Sequence, residues 1–548
     1  MTVAEDSRLG PAAPDRAATR APWEASARDA FAQIHHPFCL RQEPGTPDRP
    51  VGDLQVLPAE ARPTPPGRSR LAYVPALPAE NLGDPGFAAD HGLRFAYMAG
   101  AMANGIGSVE LVEAMARGGM LGVFGAAGLA IEAVEAAIER LSTSLGRLPY
   151  GFNLIHSPQD NALESALVDL YLRRGVRLVE ASAFLDLSLP VVRYRVAGIG
   201  RDGSGRVVAP NRVIAKVSRV EVAAKFMAPP PEAMLAELVR RGEIDHSQAA
   251  MAARLPMAQD VTAEADSGGH TDNRPAITLL PTLAALRDRL QAQHGLDAPV
   301  RVGAAGGIAT PASASAAFAM GAAYLVTGSI NQACRESGSS PIVRAMLAEA
   351  EQADTIMAPA ADMFEMGVRV QVLKRGTLFA MRAAKLYETY RSRRGLDDIP
   401  SDERMALEKT VFRAPLDEVW AQTEAFFRGR DPAQIDRADR DPKHKMALVF
   451  RWYLAHSSRW ANAGDPSRKI DYQVWCGPAM GAFNEWAKGS PLEGPDDRRV
   501  TTLAFNLLYG AAVLARAHAA RCQGVRLPPD LPRVAPLGHA EVAARLNP

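Results

Sequence analysis

Cysteine is scarce in this chain. Its 548 residues include four, Cys39, Cys334, Cys476 and Cys522. They are widely scattered and form no C-x-x-C pair, which argues against a disulfide framework or a cysteine-rich zinc site. A reducing, cytoplasmic compartment is therefore expected. Net charge is nearly absent too, at +1. No global electrostatic case exists for binding nucleic acid or a membrane, and attraction to an acidic partner has to come from local patches. No apolar run reaches the ~20 residues of a membrane span. The longest uncharged stretch late in the chain, residues 501–515, reads as a buried core helix. The first residues carry Glu5 and Asp6 and no apolar run, unlike a secretory signal. There is no internal repeat with a clear period. No G-x-G-x-x-G fingerprint standing between a strand and a helix is legible. His156, His444 and His456 have no metal-ligand spacing, so no metal is expected.

What the chain does have is alternation. From residue 93 to 330, short apolar runs alternate with helical patterns. Candidate strands are 94–99, 120–124, 150–155, 176–180, 212–217, 260–264, 300–304 and 323–327. Helical segments lie near 108–117, 130–144, 160–173, 277–293 and 311–320. Eight strand–helix units over this length predict a closed (β/α)8 TIM barrel, an α/β fold, with a doubly wound open sheet as the alternative. Two insertions interrupt the rhythm. Residues 191–211 read as a β-hairpin around Asp202-Gly203-Ser204-Gly205. Residues 229–258 read as a helical pair. Both are expected on loops after strands, facing the active end. The whole divides into a flexible tail (1–30), a small loop-rich region (31–90), the barrel (91–390) and a mainly helical region (391–548), which is expected to pack beside the barrel mouth.

Chemistry concentrates at the expected strand ends. In GAAGGIATPASASAAFAMGAAYLVTGS, residues 303–329, Gly306–Gly307 follow strand seven and Gly328–Ser329 follow strand eight. Glycine lets backbone amides approach a phosphate, and a helix starting at Pro311, capped by Thr310, attracts its charge. Barrels of this kind often hold phosphate there. The segment EADSGGHTDNRP, residues 264–275, follows strand six. It places acid, hydroxyl, glycine and imidazole together, with His270 suited to proton transfer near neutral pH. Gly100–Ala101–Met102 ends strand one and could lay backbone against a flat ring. Asn153 lies in strand three and could hydrogen-bond a ring edge. Lys216 sits in the apolar run VIAKV, where a buried ammonium needs an anionic or polar partner. Each also has the plainer reading of a turn or strand-end residue. Cys476 reads as a packed side chain rather than a nucleophile.

The chain resembles PfaD-type proteins, the trans-acting enoyl reductases of polyunsaturated fatty acid synthases and trans-acyltransferase polyketide synthases. The resemblance rests on AGAMANGIGSVELVEAMARGGMLGVFGAAGL, GFNLIHSP, VEASAFL, VIAKVSR, ADSGGHTDNRP with ITLLPT after it, MAPAADMFEMGVRVQVLKRGTLFAMRAAKLYE, KMALVFRWYLAHSSRW and DYQVWCGPAMGAFNEW. It covers roughly residues 90 to 515, and more distantly the barrel resembles nitronate monooxygenases. The resemblance implies an FMN-dependent barrel that reduces the double bond of a carrier-bound enoyl thioester, with NADPH as hydride donor. It implies FMN contacts at Ala101, Met102, Asn153, Lys216, Gly306, Gly307, Gly328 and Ser329, and an active-site histidine at His270. It implies an acyl carrier protein as partner. Lys374–Arg375, Arg382, Lys385, Lys443, Lys445, Arg451 and Arg459 are the candidate basic surface for it. Related barrels are often dimers, so a homodimer is an open alternative. A nitronate monooxygenase-type flavin oxidase and a non-catalytic flavin-holding docking subunit stay as rival readings.

Overall fold

The computed structural model describes residues 22–44, 52–61, 69–157, 161–296 and 299–547. Residues 1–21 of the expected tail, and residues 45–51 and 62–68 of the expected loop-rich region, lie outside the described residues. The end of the expected tail is a helix, Pro22–Ala32.

Two compact units are present. One comprises residues 1–77 and 516–533. It contains an antiparallel sheet in the order Leu54–Leu57, Phe38–Gln42, Arg70–Val74. The fully buried Arg516 donates to the carbonyls of Pro75, Ala30, Phe31, Gln33 and His36 within this unit.

The other unit, residues 78–515 and 534–548, contains the barrel. Its eight strands are Tyr97–Ala99, Leu121–Phe124, Gly151–Ile155, Leu178–Ser182, Arg212–Val217, Asp260–Glu264, Arg301–Ala305 and Leu325–Thr327. They pair in sequence order, and the ring closes through Leu325↔Tyr97. Every pairing is parallel. Closure excludes the open sheet. Strands covered on both faces carry apolar residues almost throughout, which is why the runs were legible. Helices follow with their caps in place: Ser108 accepts from the Leu111 amide at 3.0 Å ahead of Val109–Arg117. Thr310 and Ser313 form a capping box on Pro311–Ala319.

The end of the barrel opposite the strand C-termini is plugged by a salt-bridge network. Asp260 receives Nε2 of His91 at 2.8 Å and Nε of Arg301 at 2.6 Å, and Arg301 also reaches Asp90 at 2.7 Å. Phe87 stacks on Tyr324 beside it, 4.1 Å apart. Charged residues at this face serve the fold, and reactive groups are to be sought at the other.

Two expectations need correcting. The run VVRYRV forms a helix, Leu189–Val196, rather than a hairpin arm. Ser188 caps it and Pro190 occupies its first turn, and barrel closure requires a crossover helix after strand four. The hairpin shrinks to Gly200–Arg201 paired with Val207–Val208. Because it lies between that helix and strand five, it sits at the plugged end, away from the mouth. The helical pair, Glu232–Arg240 and His246–Ala252, likewise precedes strand six. The stretch 501–515 belongs to a longer helix, Val500–Cys522. Among the described residues it is the one helix long and apolar enough to cross a membrane, but 83% of its most apolar window is buried inside the protein.

After the barrel, Arg369–Leu373 pairs antiparallel with both Thr355–Pro359 and the short strand Gly269–His270. The following helices build a separate apolar cluster around Phe364, Phe379, Phe412, Phe450 and Tyr453, against which Trp420, Trp452, Trp460 and Trp475 pack.

Candidate active site

The loops after the strands converge on one cavity of about 730 Å³. Every candidate residue lines it: Ala101, Met102, Asn153, Lys216, His270, Gly306, Gly307, Gly328 and Ser329.

A chain of charge runs from the cavity floor into the barrel interior. Lys216 Nζ donates to Glu264 Oε1 at 2.8 Å. Glu180, fully buried in strand four, accepts from the Ala101 amide at 2.8 Å through Oε2, while its Oε1 has no hydrogen-bond partner. Burial pushes the Glu180 carboxyl up to about 7, against the opposing pull of Lys216 and the Ala101 amide. Burial alone would lower the Lys216 pKa, but Glu264 and Glu180 outweigh it and the net shift is upward, so Lys216 is a cation. Asn153 donates through Nδ2 to the Glu180 carbonyl (3.2 Å) and Ser182 Oγ (2.8 Å). Its backbone carbonyl accepts from the Tyr171 hydroxyl at 2.7 Å, so the side-chain Oδ1 is what remains for a ligand. Glu180 is not among the residues expected from the sequence, although an acid inside the apolar run VRLVEAS carries the same signal as Lys216 in VIAKV.

The segment from Glu264 to His270 is clamped from three sides. Gln371 donates to Asp266 Oδ1 and to the Ser267 carbonyl, each at 2.8 Å. Gly268 lies so close to Cys476 and Gly477 that a Cβ would come within 3.0 Å of their backbone. His270 pairs with Val370 as a strand. Its Nε2 lies 3.2 Å from Oδ1 of Asp362. A carboxylate only accepts, so Nε2 carries hydrogen. Burial lowers the imidazole pKa, but Asp362 more than offsets this and the net shift is upward. Among the described residues Nδ1 has no hydrogen-bond partner, and the residue lines the cavity.

The glycine turns differ from one another. Gly306 has φ +82°, and a Cβ there would meet the Ala265 carbonyl carbon at 2.6 Å. Gly307 has φ +72°, and a Cβ at Gly307 or Gly328 would meet nothing within 4 Å. The amides here border open space, as a phosphate cradle requires. Ser329 Oγ accepts from the Gly477 amide at 3.0 Å, leaving its O–H free to donate.

The helical region completes the wall. The helix Pro442–Ala463 runs across the mouth. Ser458 Oγ accepts from Asn104 Nδ2 at 3.1 Å, and Arg451 reaches Glu365 at 3.2 Å. Positions 448, 451, 452, 455, 456 and 459 of this helix form one stripe along the cavity. The helix Leu416–Arg430 contributes 422, 423, 426, 427 and 430.

The expected basic surface is largely spent on internal contacts. Arg382 pairs with Asp471, Lys385 with Glu403, and Arg375 with Asp354. Lys443 donates to the Tyr390 and Arg393 carbonyls, and Lys445 covers the Trp420 ring. Of the whole set only Arg451 and Arg459 line the cavity. Cys476 is buried, and burial pushes its thiol up to about 12, far from a thiolate. His156 and His456, given no role from sequence, both stand in the cavity wall.

Residues 91–399 match the family described as nitronate monooxygenase. Residues 393–472 match the inserted helical domain described for acyl-carrier-protein S-malonyltransferase. The solved enoyl reductase domain of MlnA, from the macrolactin biosynthesis cluster of Bacillus amyloliquefaciens, is 39% identical with a TM-score of 0.77. The match covers 81% of this chain and 100% of that one. A polyunsaturated fatty acid synthase component of a Thraustochytrium species is 48% identical over 448 residues, which is 80% of this chain and 30% of that protein. Polyketide biosynthesis protein PksE of Bacillus subtilis is 43% identical over 439 residues, 80% of this chain and 57% of that protein. The chain thus spans only part of the length of these curated relatives.

Proposed function

The chain belongs to the nitronate monooxygenase family, in its PfaD-type enoyl reductase branch, and on that premise we propose that it is a trans-acting, FMN-dependent enoyl reductase. It reduces the 2,3-double bond of enoyl thioesters held on acyl carrier proteins during polyketide or polyunsaturated fatty acid synthesis in the cytoplasm, with NADPH as reductant. The observation that carries this reading is the convergence of His270, Lys216 and the two glycine turns on one cavity in a chain 39% identical to an entire enoyl reductase domain.

The residues suit FMN. The open amides around Gly307 and Gly328, with the Ser329 hydroxyl, would take the phosphate. The Gly100–Met102 turn, Oδ1 of Asn153 and the Lys216 ammonium would border the ring. When bound, FMN supplies the hydride chemistry, accepting from NADPH and delivering to the thioester β-carbon. Lys216 would hold positive charge against the ring, with its position fixed by Glu264 and its charge supported by both Glu264 and Glu180. Asp362 orients His270 through Nε2 and favours its imidazolium form, and in that form the Nδ1–H is the group left for substrate. From there it supports the thioester oxygen or gives the α-carbon its proton. The mouth helix limits water around the reacting bond.

The test uses purified protein loaded with FMN. NADPH should bleach the bound flavin, and a crotonyl thioester should restore its absorbance while losing its own enoyl chromophore. His270→Ala should keep the flavin spectrum and lose about 10²–10⁴-fold in kcat. Oxygen consumption with an alkyl nitronate, without enoyl reduction, would replace this reading by an oxidase. A flavin never reduced by NADPH would replace it by a flavin-holding docking subunit.

A further inference from the structure

The outer wall of the cavity is unlike its floor. The floor carries glycine turns, the Lys216–Glu264 pair and the imidazoles of His156 and His270. The wall is aromatic and basic, and it comes from two helices outside the barrel. Phe426 is 45% exposed, although it lies on a helix with an apolar cluster available to it. Its ring and that of Phe427, edge to face with centroids 5.1 Å apart, border the cavity. Trp452 faces the cavity from the mouth helix. Large apolar rings left against water gain about 25 cal/mol for each Å² that a ligand covers.

Charge in the wall is arranged along the mouth helix. Arg451 is paired with Glu365 and contributes to the field at Asp362, which holds His270. Arg459 lies eight positions further on, about 12 Å along the axis. Beside it, Ser458 and Asn462 tie the helix to Asn104 at the end of strand one. Arg459 is exposed and has no ion-pair or hydrogen-bond partner among the described residues, yet it lines the cavity. The cavity therefore has anion-receptive groups at two levels. One is the pair of glycine turns on the floor, and the other is the set of wall arginines, in which Arg459 on the mouth helix, like Arg369 beside Val370, is exposed and has no ion-pair partner among the described residues. The same wall carries the rings of Phe426 and Trp452 and the exposed amide of Gln422.

A ligand complementary to this wall carries a reactive group at one end, apolar and amide segments in its middle, and a phosphate at the other end. We infer that the wall formed by the helices Leu416–Arg430 and Pro442–Ala463 is the binding subsite for a phosphopantetheine-type thioester arm. The phosphate lies against Arg459 and the hydrocarbon against Phe426 and Trp452. The inference rests on the enoyl reductase reading and places its substrate.

Calorimetry on FMN-loaded protein tests it directly, with 4′-phosphopantetheine and pantetheine as probes. The wild-type protein should bind the phosphorylated arm about 10-fold more tightly, the value of one charged contact. Arg459→Gln should abolish that preference. Phe426→Ala should weaken both probes alike. In turnover, Arg459→Gln should raise KM for crotonyl-coenzyme A about 10-fold more than for the crotonyl thioester of N-acetylcysteamine, which lacks phosphate. The KM for NADPH should stay constant. Equal binding of both probes by the wild-type protein overturns the inference. A rise confined to the NADPH KM also overturns it, and assigns Arg459 to the nucleotide. The two readings separate cleanly. Arg459-dependent binding of phosphopantetheine without enoyl reduction keeps the subsite and removes the reductase. Enoyl reduction with no discrimination between the probes does the reverse.

Discussion

Nε2 of His270 lies 3.2 Å from Oδ1 of Asp362, 92 positions away in sequence. The pairing is supported by the sheet in which His270 opposes Val370. The charged groups acting on His270 are Asp362 from the segment after the barrel, Glu264 from its own loop and Lys216 from strand five. Arg369, next to Val370, lines the same cavity. The first two raise the pKa, and Lys216 together with burial lowers it. Asp362→Asn removes the largest raising influence, so the imidazolium should lose its proton at lower pH. Removing one close opposite charge shifts a pKa by about 1–3 units. The basic limb of kcat against pH should move down by at least about 1 unit, with NADPH reduction of the flavin unchanged. Imidazole NMR on the same variant should report the same shift without turnover. An unmoved NMR titration rules out Asp362 as the positioning residue.

Lys216 compensates two acids at once. Lys216→Met would leave Glu264 and the buried Glu180 without a cation. Breaking a buried pair costs about 3–5 kcal/mol. The sign of the pH effect follows from the acids. Glu180 is charged at high pH, where its repulsion from Glu264 and its desolvation are worst, and it becomes neutral as pH falls. Glu180, already raised to about 7, rises further without Lys216. The stability gap between wild type and variant should therefore be larger at pH 8 than at pH 5. Urea midpoints at the two pH values check this, and an equal gap at both would discard the account.

These contacts also mark the limit of sequence reading. The eight strands were legible because a parallel strand buried on both faces is an apolar run between turn residues. The glycine pairs and Lys216 were legible because one residue in the wrong surroundings is a local signal. Asp362 had no such signal, since its partner lies 92 residues away and MAPAADMFEMG carries nothing periodic. VVRYRV misled because β-branched and aromatic residues favour strands, while Ser188 and Pro190 at its start, and the barrel's need for a crossover, decided for a helix. The cavity stripe at 448–459 mixes Leu, Arg, Trp and His, so its helical spacing carries no hydrophobic contrast to detect.

Arg516 should be the weak point of the smaller unit. It donates to the carbonyls of Pro75, Ala30, Phe31, Gln33 and His36, at 2.6 to 3.2 Å. Buried acceptors left unmade cost about 1–3 kcal/mol each, without simple additivity. Arg516→Met would keep the apolar stem and strip the donors. Amide exchange across residues 30–40 should accelerate by at least an order of magnitude, with the barrel strands as the internal reference. Unchanged exchange in residues 30–40 would mean that the guanidinium contributes little there.

Gly306 and Gly307 are adjacent, both at positive φ, yet substitution should affect them differently. An alanine at either position enters the left-handed region, at about 1–2 kcal/mol. At Gly307 that is the whole structural cost, because a Cβ meets nothing within 4 Å. The added methyl projects into the cavity, so Gly307→Ala should leave the apoprotein melting temperature within a few degrees and weaken FMN binding. At Gly306 the Cβ would meet the Ala265 carbonyl carbon at 2.6 Å and the Asp266 oxygen at 2.8 Å. Those atoms are backbone of the loop carrying His270 and cannot rotate away. Gly306→Ala should therefore destabilise the apoprotein well beyond the Gly307 variant and displace the histidine loop. Melting curves of the two apoproteins, with FMN titrations by fluorescence quenching, give both quantities. Equal losses of stability would show that the loop after strand six yields to strain, and the clamp by Gln371 and Cys476 would then be weaker than its geometry implies.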